Sequence, residues 1–557
     1  MPFNAISRTL FATTVGVTVT MPVITHAATF SVVELTVEDV QAGLSNGTFT
    51  SADLVESFLE RIDTYEPTYN AFTSFNPNVL ETARALDEEY KTSGPRSPLH
   101  GVPIVIKDAM DIAGIPTTNG YTGFSSTAGG VDLIPETNAP LVSRLEDAGA
   151  VILGKTNLPA FAADGTRANT SFAGPTYNAY DLTLAPGASS SGTATAVSAS
   201  FAVLGMAEET GGSIQNPAAA QALVGIKPTF ALIPNTGVAP LAGSTRDVVG
   251  PHAKTVYDAA VTLDVLAGPD ESDPKTVAAE GKLPPNGYAA ALNDTALQGK
   301  RIGLFGTGFK NVQLTPETQQ LYDQAIIVLQ EQGATVVADP FAETNFTSLI
   351  PTSGPRGIET LPYDYNQYLQ RLGPSAAINS LAQVEEVIGV DIFAQGQPLS
   401  FFRSYPNSET YLANPDTLPI EDFLQLREES LGAFLEILNS NELDGLVFPQ
   451  MYAPVPDLEG TQAYSSTTVP EINILGTPGI TVPAGYYEDG SPFSVIFVGE
   501  PFSEAELLGL AYDYEQATML RQAPVLVPEP STVGGVVAFA VIGLLAKRRL
   551  RGTYLPL

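Results

Sequence analysis

Residues 186–217 read PGASSSGTATAVSASFAVLGMAEETGGSIQNP, and no other stretch restricts the possible folds of this chain so tightly. Two clusters of small residues, 187–192 and 211–213, bracket a run of Ala, Val and Ser with helical character. Glycine lets the backbone take positive φ and approach a ligand closely. Successive amide N–H groups in a Gly-Gly-Ser turn can converge on an oxyanion. A single Gly/Ser cluster is an ordinary turn. Two of them, joined by an apolar segment and followed by Gly225, Ile226, Lys227, Pro228 and Thr229, point to a built site.

The residue inventory limits the chemistry available there. Cysteine is absent, which removes thiol nucleophiles, disulfides and zinc–thiolate centres. Only His26, His100 and His252 are present, so a Ser-His-Asp enzyme would have to use one of the last two. No G-x-S-x-G surrounds Ser189 or Ser213. Without histidine the base must be another group, and a buried lysine serves, because desolvation favours the neutral amine. Lys107, Lys155 and Lys227 each end an apolar run, and the residues alone do not choose among them. A formal charge of −34 argues against nucleic acid or an anionic membrane surface as partner.

The central stretch resembles the signature of the amidase signature family, whose usual form is GGSSGGS…GSDTGGSIRxPA…GxKPT. Here the signature stands as Gly187, Ala188, Ser189, Ser190, Ser191, Gly192 and Thr193, then Glu208 to Ala218, then Gly225 to Thr229. The resemblance extends over roughly residues 35–518 and is strongest at 98–261. It implies a serine amidase of the peptide-amidase-like branch that needs neither metal nor cofactor. By residue-to-residue carry-over, Ser213 is the acyl nucleophile. Ser189, preceded by a cis peptide bond, relays its proton to Lys107, the lysine of GVPIVIKD. Thr210, Gly211, Gly212 and Ser213 supply the oxyanion N–H groups, and Ser190 supports the loop. The chain departs from the pattern at Ala188, Ser191, Glu209, Gln215 and Ala160. These substitutions leave a second reading, a catalytically inactive relative kept as an envelope or matrix binding protein. Transamidation of charged tRNA, another activity in the family, fits poorly with export and with the acidity.

Strand and helix patterns alternate along the body. Residues 98–108 and 150–153 read as buried strands, residues 77–91 and 138–148 as helices. A helix capped at Thr50 and Ser51 is expected to end before Pro67. Residues 300–305, a helix opened by Thr315 and Pro316, and residues 334–338 form a βαβ unit. The fold class expected is therefore α/β: one large domain, residues 29–522, with a mixed central sheet between helices. Residues 354–410 look least regular, and within them residues 361–384 resemble the substrate side of peptide-amidase-like members.

Both ends read as targeting segments. Residues 1–28 carry Arg8, an apolar stretch and the small pair Ala27 and Ala28, the pattern of a secretory signal peptide. Residues 527–551 contain Pro528-Glu529-Pro530, about 14 apolar residues and an Arg-rich end, which resembles a PEP-CTERM sorting signal. That resemblance implies an exosortase-type partner and a location in the envelope or outside the cell, with membrane contact only through this short helix.

Overall fold

The computed structural model describes residues 30–351 and 356–528. Val32 onward is one compact unit; of the separate Met1–Ser31 unit only Phe30 and Ser31 are described. The expected signal peptide and nearly all of the sorting segment lie outside the described residues. No helix among the described residues is long and apolar enough to cross a membrane.

Eleven strands form one sheet: β1 (Phe72–Phe75), β2 (Pro103–Lys107), β3 (Val151–Thr156), β4 (Leu204–Glu209), β5 (Val224–Lys227), β6 (Val248–Ala253), β7 (Arg301–Leu304), β8 (Thr335–Val337), β9 (Gly445–Pro449), β10 (Gly479–Tyr486) and β11 (Pro492–Val498). Their order is β1-β3-β2-β4-β6-β5-β10-β11-β9-β7-β8. The pairs β2/β3, β2/β4, β7/β8 and β7/β9 are parallel, and the other six pairs are antiparallel. Every residue of β2, β3, β4, β5, β6, β9 and β11 is buried. A strand covered on both faces reads as a continuous apolar run, which is why 103–106 lacks the alternation of a half-exposed strand. The mixed α/β architecture expected from the sequence is the one observed.

The helices confirm most of the pattern reading and correct one boundary. In α1 (Val37–Asn46) and α2 (Ser51–Tyr69), Thr36 and Thr50 each close a capping box with an Asp three residues on. α2 does not stop before Pro67: it runs two residues past it to an αL cap at Asn70. Burial of Tyr69, only 1% exposed, carries the last turn past the proline. Glu66 then takes the amides of Ala71 and Phe72 that lead into β1. Next come α3 (Val79–Ser93) and α4 (Pro140–Asp147). Two short helices lie inside the signature, α5 (Ser191–Ser198) and α6 (Gln215–Ala220), both wholly buried. α7 (Val256–Leu266) follows β6, and α8 (Pro316–Glu331) crosses from β7 to β8 with Thr315 as its cap, as expected. Beyond the undescribed residues 352–355, the irregular region consists of short pieces such as Leu361–Arg371 and Leu381–Ile388 around an aromatic cluster that includes Tyr365, Tyr368 and Phe402.

Candidate active site

β2 and β4 are parallel neighbours, and the chain leaves both at the same edge. Lys107 is the last residue of β2, and Glu208 and Glu209 end β4. The loop before α5 brings Ser189 to the same point. Lys107 Nζ donates to Ser189 Oγ at 2.7 Å, to the Glu208 carbonyl at 3.2 Å and to Glu208 Oε2 at 2.8 Å. Lys107 is fully buried and the Glu208 side chain is 2% exposed. Burial pulls the Lys107 ammonium down from its ordinary range, and the Glu208 carboxylate pulls it back up.

The three lysines that the sequence left equivalent now differ. Lys155 is held by Asp108 at 2.8 Å and by Pro116 O and Thr117 Oγ1. Lys227 donates to the carbonyls of Pro228 and Thr477, and burial lowers its pKa to about 8. Only Lys107 meets a serine of the signature.

The Ala188–Ser189 peptide is cis. Ser190 ties the loop to β4, donating from Oγ to Glu208 O at 3.1 Å and accepting from Glu208 N at 3.3 Å. Its own amide reaches Ser213 O at 3.4 Å, which joins the two serine segments through the backbone. Ser213 is 5% exposed, and its hydroxyl makes no hydrogen bond among the described residues, to Ser189 included. The amides of Gly211, Gly212 and Ser213 likewise find no acceptor among the described residues. Gly212 sits at φ +93°, and a Cβ there would fall 2.6 Å from Asn216 Nδ2, so this turn has room for glycine only.

Glu209 and Gln215, which depart from the signature, form a closed network. Glu209 Oε2 accepts from the amides of Ile214 (2.8 Å) and Gln215 (3.1 Å) at the start of α6. Glu209 Oε1 accepts from Gln215 Nε2 (2.5 Å) and Asn473 Nδ2 (2.6 Å), and Gln215 Oε1 accepts from Thr468. The carboxylate acts as the anchor of the segment between Ser213 and α6. Ser191 donates to Gly187 O, so its extra hydroxyl is absorbed inside the loop. Ala188 and Ala160 are buried.

Three functional neighbours are not singled out by the sequence. Glu208 occupies a signature position where the family pattern has serine, and that mismatch is the signal that could have found it. Thr210 Oγ1 lies 3.2 Å from Glu208 Oε1 and 2.6 Å from Asp247 Oδ1, and burial with the nearby Glu208 pushes Asp247 up to about 7. Arg246 holds Thr210 O through Nε at 3.0 Å. Neither histidine engages a serine. His252 Nε2 faces Ile214 O, and burial lowers its pKa to about 4; His100 faces Leu86 O and the Arg96 amide. A cavity of about 280 Å³ opens beside the turn, lined by Gly211, Asn216, Lys310, Tyr452, Tyr464 and Val469.

A family model described as Amidase matches residues 53–508. The chain is 30% identical over 518 residues to a probable amidase of Arabidopsis thaliana, covering 89% of this chain and 93% of the plant protein. It is 32% identical over 510 residues to a component of the glutamyl-tRNA(Gln) amidotransferase of Chromohalobacter salexigens, covering 87% and 96% of the two chains. Among solved structures, the native peptide amidase of Stenotrophomonas maltophilia superposes with a TM-score of 0.72 at 31% identity, over 88% of this chain and 99% of that one. The matched length, the identity across both chains and the shared fold agree with the signature, and this chain belongs to the amidase signature family.

Proposed function

We propose that this amidase is an exported enzyme that hydrolyses small or peptide-like carboxylic amides to an acid and ammonia or an amine, using Ser213, Ser189 and Lys107. The observation that carries the reading is the 2.7 Å contact of a fully buried Lys107 with Ser189, in a chain whose two described histidines are both engaged elsewhere. Ser213 Oγ attacks the amide carbonyl, its proton passes to Ser189 Oγ, and the proton of Ser189 passes to Lys107 Nζ. Desolvation keeps Lys107 able to accept that proton, and Glu208 stabilises the ammonium that forms. The unpaired amides of Gly211, Gly212 and Ser213 are suited to the negative oxygen; one such donor is worth about 10²–10³ in rate. Lys107 returns the proton through Ser189 to the departing nitrogen, and water releases the acid by the same relay in reverse.

Peptide-like substrates are supported by the likeness to the peptide amidase and by the aromatic wall of Tyr452 and Tyr464. Export, with recognition of the C-terminal segment by an exosortase-type enzyme, rests on the signal-peptide and PEP-CTERM-like patterns at the two ends. The test is ammonia release from a panel of primary amides and C-terminally amidated peptides by residues 29–522, run beside Ser213→Ala and Lys107→Ala. Turnover lost in both variants supports the reading. No turnover of any amide by the folded parent chain favours the inactive binding protein.

A further inference from the structure

Acidic residues outnumber Lys and Arg by 60 to 26, yet Arg246, Arg356 and Arg427 gather behind the oxyanion turn without a carboxylate partner among the described residues. Arg427 is spent on the carbonyls of Ile474, Thr245 and Asn473. Arg246 is 5% exposed and uses Nε on Thr210 O and Nη1 on Arg356 O, at 3.0 and 3.3 Å. Its Nη2 has no acceptor among the described residues. Arg356 Nε is buried and also lacks one. A buried N–H without an acceptor, as at Arg356 Nε, is costly, and a carboxylate is the ligand that the planar fork of a guanidinium fits best.

The free nitrogen is located by its neighbours. Arg246 Nη2 lies 3.0 Å from the place a Cβ on Gly211 would occupy, and Val469 Cγ1 lies 3.7 Å from that same place. Gly211 and Val469 both line the cavity beside the turn. The stem of Arg246 runs past Gly357, where a Cβ would come within 3.1 Å of Arg246 Cδ, so the side chain is held in one channel. The nearby carboxylates are committed elsewhere. Asp247 takes Thr210 Oγ1 and the amides of Leu241 and Ala242. Glu209 takes its four donors around α6, and Glu359 takes the amides of Arg356 and Gly357.

Resting on the amidase reading, we propose that Arg246 and Arg356 form a carboxylate-binding subsite beside the oxyanion turn, and that the preferred substrates are half-amides of short dicarboxylic acids. Gly211 and Ser213 are two residues apart, at most about 7 Å between α-carbons, so the bound carboxylate and the scissile carbonyl belong to one small acyl unit.

The test compares glutaramate with valeramide, which has a methyl group in place of the carboxylate, on the parent chain, Arg246→Gln, Arg246→Lys and Arg356→Gln. The parent chain prefers glutaramate by about 10–100-fold in kcat/KM, the range of a charged hydrogen bond. Arg246→Gln brings the ratio close to one, Arg356→Gln reduces it, and Arg246→Lys keeps part of it. Arg246 also holds Thr210 O, so its variants lower the rate on both amides, and the ratio is the readout. A parent preference for valeramide, or a ratio unchanged in Arg246→Gln, overturns the subsite. If the parent chain cleaves neither of these nor any amide of the panel above, the amidase reading fails separately. Glutarate binding by calorimetry, present in the parent and absent in Arg246→Gln, then still supports the subsite, and its absence from the parent overturns it.

Discussion

Glu208→Gln removes one negative charge beside Lys107 and leaves the shape of the site nearly unchanged. At the observed 2.8 Å, attraction between the two charges is roughly 6 kcal/mol with an effective dielectric of about 20. Much of that is offset by desolvation of the pair, but breaking a buried pair still costs about 3–5 kcal/mol. Without the carboxylate, the buried ammonium loses its main support and Lys107 releases its proton more readily. The lysine is then neutral to lower pH, but the ammonium that the proposed relay forms at Lys107 is no longer stabilised. The acid limb of kcat/KM is expected to move down by about one pH unit or more, and kcat to fall about 100-fold. Stability changes in the same sense. Burial already holds the folded Lys107 below its ordinary value of 10.5, so the unfolded chain binds the extra proton and stability rises with pH between those two values. In Glu208→Gln that rise begins at lower pH. The assay is a pH series of initial rates on the best amide, with chemical denaturation at matching pH. An acid limb superimposable on that of the parent chain would show that Glu208 does not tune Lys107.

Other perturbations separate site from scaffold. Gly212→Ala forces a Cβ to 2.6 Å from Asn216 Nδ2 at a φ of +93°, and turnover is expected to fall at least about 100-fold through displaced oxyanion donors, with a small loss of thermal stability. Glu209→Ala strands four buried donors, from Ile214, Gln215 (backbone and side chain) and Asn473, and urea denaturation should report a loss of about 3 kcal/mol or more. His100→Gln and His252→Gln are each expected to keep turnover within about tenfold of the parent chain, because neither ring reaches a serine; loss of four decades in either would restore a histidine base.

Much of the site is legible in the sequence because its chemistry depends on local spacing. The small residues of 187–192 and 211–213 mark two tight loops wherever they occur, and β2, β3 and the β7–α8–β8 unit show in short apolar runs bounded by caps. The choice of Lys107 over Lys155 and Lys227 is not contained in those runs. Lys107 and Lys227 end buried strands and Lys155 stands one residue before the end of another, and only the parallel pairing of β2 with β4 sets one of them against Ser189. Glu208 does not stand out because an acid at a strand end usually reaches solvent, and only the sheet register reveals that this one turns inward. Arg246 and Arg356 are 110 residues apart in the chain, so no local pattern could bring them together. At the end of α2, Pro67 disfavours only the local backbone, while the burial of Tyr69 decides the outcome.

The role of Ser213 as nucleophile is tested most directly by the mass of the acylated enzyme. The folded chain is mixed with a good amide, quenched in acid within the first turnovers and digested. The acyl mass is expected on the peptide containing Ser213, and Ser213→Ala is expected to yield neither adduct nor ammonia. An adduct on another residue, or turnover that survives Ser213→Ala, would contradict that role.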